Sequence, residues 1–170
     1  MKYFLFIILL MAVIFSAGCI NPNVKSAVTS TPTPQIIYVT VLVTPTPTAT
    51  TGIDKFNDAG ALYSKSVDLA NRGKYEEALK AADDALALNV TSLVPLIQSN
   101  RAGILVMLGR NREAISAADV ALSSKENLTT VFSVAYFNKG NALKNLGQTD
   151  EAKAAYAKAQ ELDSSLIPPI

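Results

Sequence analysis

A six-position pattern, Leu-x3-Gly-x3-Glu-Ala-x2-Ala-x3-Ala, occurs three times in this chain of 170 residues with every position filled. It runs Leu69, Gly73, Glu77, Ala78, Ala81, Ala85, then Leu105, Gly109, Glu113, Ala114, Ala117, Ala121, then Leu143, Gly147, Glu151, Ala152, Ala155, Ala159. The glycines are 36 and 38 residues apart, a period at which helix pairs stack into a linear array. The alanines recur at i, i+3 and i+7, so their methyl groups form one helix stripe against which another backbone can pack closely. Upstream of the first glycine, Phe56, Ala59, Tyr63, Val67 and Ala70 recur at three and four, with Leu62 and Leu69 widening the stripe. Each unit therefore reads as helix, glycine turn, helix. The glycine fits the left-handed position just past a helix end. Glu77, Glu113 and Glu151 fall in the first turn of the next helix, where negative charge suits the free N–H groups.

With those residues in place, the chain resembles the tetratricopeptide repeat family, whose unit is a helix pair of about 34 residues. The third unit carries the resemblance best, with Tyr136-Phe137-Asn138-Lys139-Gly140-Asn141-Ala142-Leu143 followed by Gly147, Ala152, Tyr156 and Ala159. Ser66 and Ala102 take the small-residue place of Gly140 in the other units. The chain departs from the family where the turn aromatic, kept as Tyr75, becomes Asn111 and Thr149. It departs again where the proline after the second helix is Val90, Glu126 or Ser164. The resemblance implies an all-α fold of three helix-turn-helix repeats, about 54–90, 91–127 and 128–164 within a domain of 53–164, in a short right-handed solenoid.

It also implies a concave groove lined by the first helix of each unit. The places facing it hold Tyr63, Ser64, Val67 and Asn71, then Leu96, Ser99, Asn100, Gly103 and Met107, then Val134, Phe137, Asn138, Asn141 and Asn145. This surface is neutral and rich in asparagine, whose amide donates and accepts at once and can bond an extended peptide backbone. Tyr63 and Phe137 are expected as apolar anchors, and the alternative is that these asparagines are merely solvated. Family members that grip acidic C-terminal tails use two lysines, two asparagines and an arginine. Of those five places only Asn100 matches, since the others hold Tyr63, Val67, Val134 and Asn138.

Lys2 precedes an apolar run from Tyr3 to Phe15 and then Ser16-Ala17-Gly18-Cys19. This is the pattern of a secretory leader, and the run is shorter than the roughly 20 apolar residues of a spanning helix. Small residues before Cys19 resemble a lipoprotein signal, with Ser16 where an aliphatic residue is usual. Lipidation at Cys19, an ordinary cleaved leader and a retained anchor remain open; each places the repeats outside the cytoplasm, and the first and last also hold them to the membrane. Residues 20–52 contain one charge, Lys25, and two Thr/Pro tracts, 30–34 and 44–51, which read as an extended stalk reaching roughly 100 Å at most. The leader and stalk together resemble archaeal surface lipoproteins, particularly those of methanogens. Between the tracts, residues 35–43 are β-branched-rich, suited either to strand addition or to an extended linker. Asn89-Val90-Thr91 and Asn127-Leu128-Thr129 are glycosylation sequons in expected loops.

Cys19 is the only cysteine and histidine is absent, which excludes an internal disulfide and a zinc site of the usual ligands. No metal or cofactor is expected. From residue 53 onward fourteen acidic and thirteen basic side chains intermix, which argues against a nucleic-acid footprint. Glu76-Glu77, Asp83-Asp84 and Asp150-Glu151 are sequence neighbours that point about 100° apart on a helix, so they read as solvated faces rather than acid/base pairs. No capping helix follows Asp163. Residues 165–170 either pack Leu166 and Ile167 on the last unit or leave an uncapped end for a homodimer. The expected function is a non-catalytic protein–protein interaction module that binds a peptide or protein in its groove. The alternatives are an assembly factor for an envelope or pilus-type complex and a passive glycosylated surface protein.

Overall fold

The computed structural model describes residues 50–169, and these are helical with short connections. The helices are α1 Thr50–Asn71, α2 Tyr75–Ala87, α3 Val94–Met107, α4 Asn111–Leu122, α5 Thr129–Asn145 and α6 Thr149–Leu162. A single 3-10 turn, Thr91–Leu93, leads into α3, and no strand occurs among the described residues. The helices pair as α1 with α2, α3 with α4 and α5 with α6, and the pairs stack in chain order. Helix α1 begins at Thr50, so its first residues fall in the span expected to be stalk. The leader, Cys19, the rest of the stalk and the segment 35–43 lie outside the described residues.

Each glycine turn closes the same way. Gly73, Gly109 and Gly147 have φ of 74°, 72° and 77°, the left-handed region that a Cβ disfavours. In the first turn Gly73 N–H donates to the Ala70 carbonyl and Lys74 N–H to the Leu69 carbonyl, both at 2.9 Å. Gly109 and Arg110 repeat this on Val106 and Leu105, and Gly147 and Gln148 on Lys144 and Leu143. The recurring Leu-x3-Gly spacing is thus the distance from the third-last helical residue, whose carbonyl is satisfied, to the left-handed residue. Lys74 and Arg110 then pair with Glu77 and Glu113 at 3.0 and 2.7 Å, holding the carboxylates at the next helix start.

The alanine stripes of α2, α4 and α6 are no more than 6% exposed at any of their nine positions. They pack into cores that cross unit boundaries. One joins Ala78 and Leu79 to Ile104, Leu105 and Ala117 and on to Ala135 and Ala142. Another joins Tyr63 and Ala85 to Leu96 and Ile97 and on to Val131 and Val134. Pro95 falls in the first turn of α3, where its missing N–H has no helical acceptor to lose. The end expected to be uncapped is covered in part: Leu166 is buried in the last cluster with Phe137 and Tyr156, whereas Ile167 is 83% exposed.

Candidate functional site

The first helices α1, α3 and α5 carry every residue expected in the groove, and neighbouring first helices touch directly. That contact decides which side chains stay open. Tyr63, Leu96, Ser99, Asn100, Gly103, Val134, Phe137, Asn138 and Asn141 are buried. This corrects the expectation that their amides and rings stand free for a ligand. Each amide makes one bond within the array, while Asn100 Oδ1, Asn138 Oδ1 and Asn141 Nδ2 are buried without a hydrogen-bond partner. Asn100 Nδ2 donates to Ser66 Oγ at 3.0 Å, and Ser66 Oγ donates to the Ala78 carbonyl at 2.8 Å. Asn138 Nδ2 donates to the Ser99 carbonyl at 3.1 Å, while Ser99 Oγ donates to the Val131 carbonyl at 3.3 Å. Tyr156 donates its hydroxyl proton to Asn141 Oδ1 at 2.8 Å. The Asn100 and Asn138 bonds tie α1 to α3 and α3 to α5 and so fix the stacking of units, whereas the Asn141 bond joins α5 to α6 within the third unit. Burial pushes the Tyr63 and Tyr156 hydroxyls up to about 12.

Five of the expected residues remain open. Ser64, Asn71 and Asn145 are exposed, and Val67 and Met107 are half-buried. Asn71, Met107 and Asn145 each stand two residues before a turn glycine, so they form a row across the three units at the ends of the first helices. Asn145 Nδ2 donates to Asn111 Oδ1 at 3.1 Å, extending the row onto the start of α4. Its side chains are uncharged. They can bond or cover a peptide backbone but supply no full charge to neutralise an anion.

Glu76, Glu77, Asp83, Asp84, Asp150 and Glu151 are all exposed, and several pair locally, as Lys80 with Asp84 at 2.8 Å. Two acids bridge units instead: Asp83 meets Arg101 at 2.7 Å and Asp119 meets Lys139 at 2.6 Å. No group of three or more His, Cys, Asp or Glu residues placed to hold a metal occurs among the described residues. No described helix is long and apolar enough to cross a membrane. Asn89 and Asn127 are exposed in the loops between units. Asn89 has φ 56°, a left-handed conformation that asparagine tolerates better than most, and Asn127 Oδ1 accepts from Thr129 Oγ1 at 3.1 Å. Sequence reasoning missed an open recess of about 440 Å³ between α5 and α6, lined in part by Tyr136, Leu143 and Ala155. Its two lysines, Lys139 and Lys158, are engaged by Asp119 and Glu161.

Comparison with known proteins agrees with this geometry. Residues 133–166 match the sequence model of the tetratricopeptide repeat. The chain is 30% identical over 117 residues to the TPR repeat-containing thioredoxin TDX of Arabidopsis thaliana, a match covering 69% of this chain and 29% of that protein. It is 33% identical over 91 residues to the Hsp70-Hsp90 organising protein of Plasmodium falciparum, covering 54% of this chain and 34% of that one. It thus spans about a third or less of these relatives. The solved first TPR domain of human RPAP3 superposes with a TM-score of 0.57 at 25% identity, over 66% of this chain and 84% of that domain. Residues 50–162 have the tetratricopeptide-repeat fold, with three stacked helix pairs of which the last matches the family's own sequence model.

Proposed function

We propose that this chain is a non-catalytic interaction module that holds a peptide or protein segment along the open row Asn71, Met107 and Asn145, with Ser64 and Val67 beside it. The observation that carries the reading is the row itself: three uncharged side chains, one per unit, at equivalent places of a tetratricopeptide-repeat fold. The Hsp70-Hsp90 organising protein is named for partners of its own. Here the places that family members use to grip an acidic tail hold Tyr63, Val67, Val134 and Asn138, so a partner segment of low charge is the better fit. Photo-crosslinking residues placed at Asn71, Met107 and Asn145 test this in the full chain in cells, with Lys80 on α2 as control. Capture of one partner from the row and none from Lys80 is expected. Equal capture from both, or none from the row, overturns the reading.

We further propose that the module is displayed outside the cytoplasm, anchored through the leader and Cys19 and raised on the Thr/Pro stalk. The residue patterns of 1–19 and 20–52 support this reading. Metabolic lipid labelling that vanishes in Cys19→Ser, together with digestion of the repeats by protease added to intact cells, is the expected result. Repeats protected in intact cells and degraded only after lysis would place them inside.

A passive glycosylated coat is the second reading, and the exposure of both sequon asparagines favours it. It predicts glycan on Asn89 and Asn127 together with no crosslinked partner. An assembly role in an envelope complex predicts instead a multi-subunit partner captured from the row.

A further inference from the structure

The chain does not stop at the end of α6 but turns back on it. Asp163 is extended, at φ −148° and ψ 100°, and its carboxylate accepts from the Ser165 backbone N–H at 3.0 Å and the Ser165 hydroxyl at 2.6 Å. This launches residues 164–169 across the last helix pair. Leu166, 5% exposed, enters an apolar cluster with Phe137, Tyr156 and Ala159. Gln160 Nε2 donates to the Leu166 carbonyl at 3.2 Å, and the Lys144 ammonium donates to the Pro169 carbonyl. In the first two units the places equivalent to Phe137 are Tyr63 and Ser99, and there the next unit's first helix provides the cover. The segment therefore takes, on the third unit, the place that the next unit's first helix takes on the first two.

Its chemistry differs from that of a helix. One leucine side chain is buried, Ile167 is 83% exposed, and the polar contacts go from protein side chains to backbone carbonyls. Pro168 and Pro169 contribute no N–H, so the segment offers mainly acceptors, which is what Gln160 and Lys144 require. We propose that this face is a docking surface for an extended, leucine- and proline-containing segment of a partner protein, held in cis by residues 164–169 until such a segment displaces them. Recognition by one anchor and two carbonyls tolerates many sequences and is individually weak. The cis segment wins through its proximity, an effective concentration on the order of mM. The face shares no residue with the row Asn71, Met107 and Asn145, so the inference goes beyond the function proposed above and its test stands apart from the crosslinking there.

The test is fluorescence anisotropy of a labelled peptide with the sequence of residues 163–169, titrated with the full chain and with its Leu166→Asp variant, both checked for helicity by circular dichroism. The variant should bind at least about tenfold tighter than the unaltered chain, because its own segment no longer competes. A peptide carrying aspartate in place of the leucine should bind neither. A helical variant that binds both peptides equally, or neither, overturns the proposal. If Leu166→Asp lowers helicity, Leu166→Ala serves in its place: it weakens the cis segment and leaves the face intact, so peptide affinity should again rise, and unchanged affinity would overturn the proposal. A concentration-dependent dimer of the unaltered chain that Leu166→Asp abolishes would assign the face to a second copy and overturn the separate partner.

Discussion

Gly140 sits beneath the ring of Tyr156, where an added Cβ would lie 2.6 Å from two ring atoms. At the equivalent places the first unit has Ser66 and Ala82 and the second has Ala102 and Ala118, all fully buried. Side-chain volume thus moves across the helix contact, from small on small to none under large. Alanine at 140 gains about 1 kcal/mol of helix propensity but overpacks against a ring that its bond to Asn141 holds in place, a cost of about 1–3 kcal/mol. Gly140→Ala is therefore expected to lower the urea midpoint in the unaltered chain and to raise it in a Tyr156→Ala background. The same sign in both backgrounds would refute the volume exchange. The two buried tyrosines make a second residue-scale prediction. Tyr63 and Tyr156 keep their protons up to about 12 in the folded chain, against about 10 when unfolded. Between those values the unfolded state has released protons that the native state still binds, so stability intact below pH 10 falls as pH rises toward 12. Phe at position 63 should flatten that decline, measured as melting temperature against pH.

At the scale of elements, the second helix of each of the first two units sends an acid to the first helix of the next: Asp83 to Arg101 and Asp119 to Lys139. The place that would continue the series in α6 holds Ala157, and the place that would begin it in α1 holds exposed Lys65. The pairs occur only where units meet within the array. The acids are about half exposed, so each pair contributes about 0.2–1 kcal/mol and acts mainly on which helices pair. Arg101→Asp should lower stability by about that amount or slightly more, and Asp83→Arg in the same chain should restore most of it. A double mutant no better than the single would show that the two side chains do not interact. These elements were largely legible beforehand. Periodicity of three and four gives the helices, and the Leu-x3-Gly spacing gives their ends, because both are local and repeat within one element. The start of α1 was not legible, because Thr50 and its neighbours have the composition of the stalk.

For the whole molecule, burial in the third unit depends on its neighbours. Val131 and Val134 belong to a core that runs through both earlier units, and Ala135 and Ala142 join the core of the second. Residues 128–169 alone are accordingly expected to give the circular dichroism of an unfolded chain, although this stretch contains the family match, while 50–169 should be helical and melt cooperatively. A helical third unit on its own would contradict that dependence. The same dependence explains what sequence reasoning could and could not reach in the site. It placed the groove residues on the first helices, and it argued against an acidic-tail grip because residue identity alone shows which of those places lack a cation. It took Asn100, Asn138 and Asn141 as open, because nothing local distinguishes an amide that faces solvent from one that faces the next helix. The sequence by itself determined the repeat number, the turns and the alanine stripes, since each is a short-range spacing written three times. Only the tertiary structure decided which amides became internal bonds, that Asn71, Met107 and Asn145 stayed open, and that Leu166 covers the last unit, because those outcomes depend on contacts between helices 30 or so residues apart.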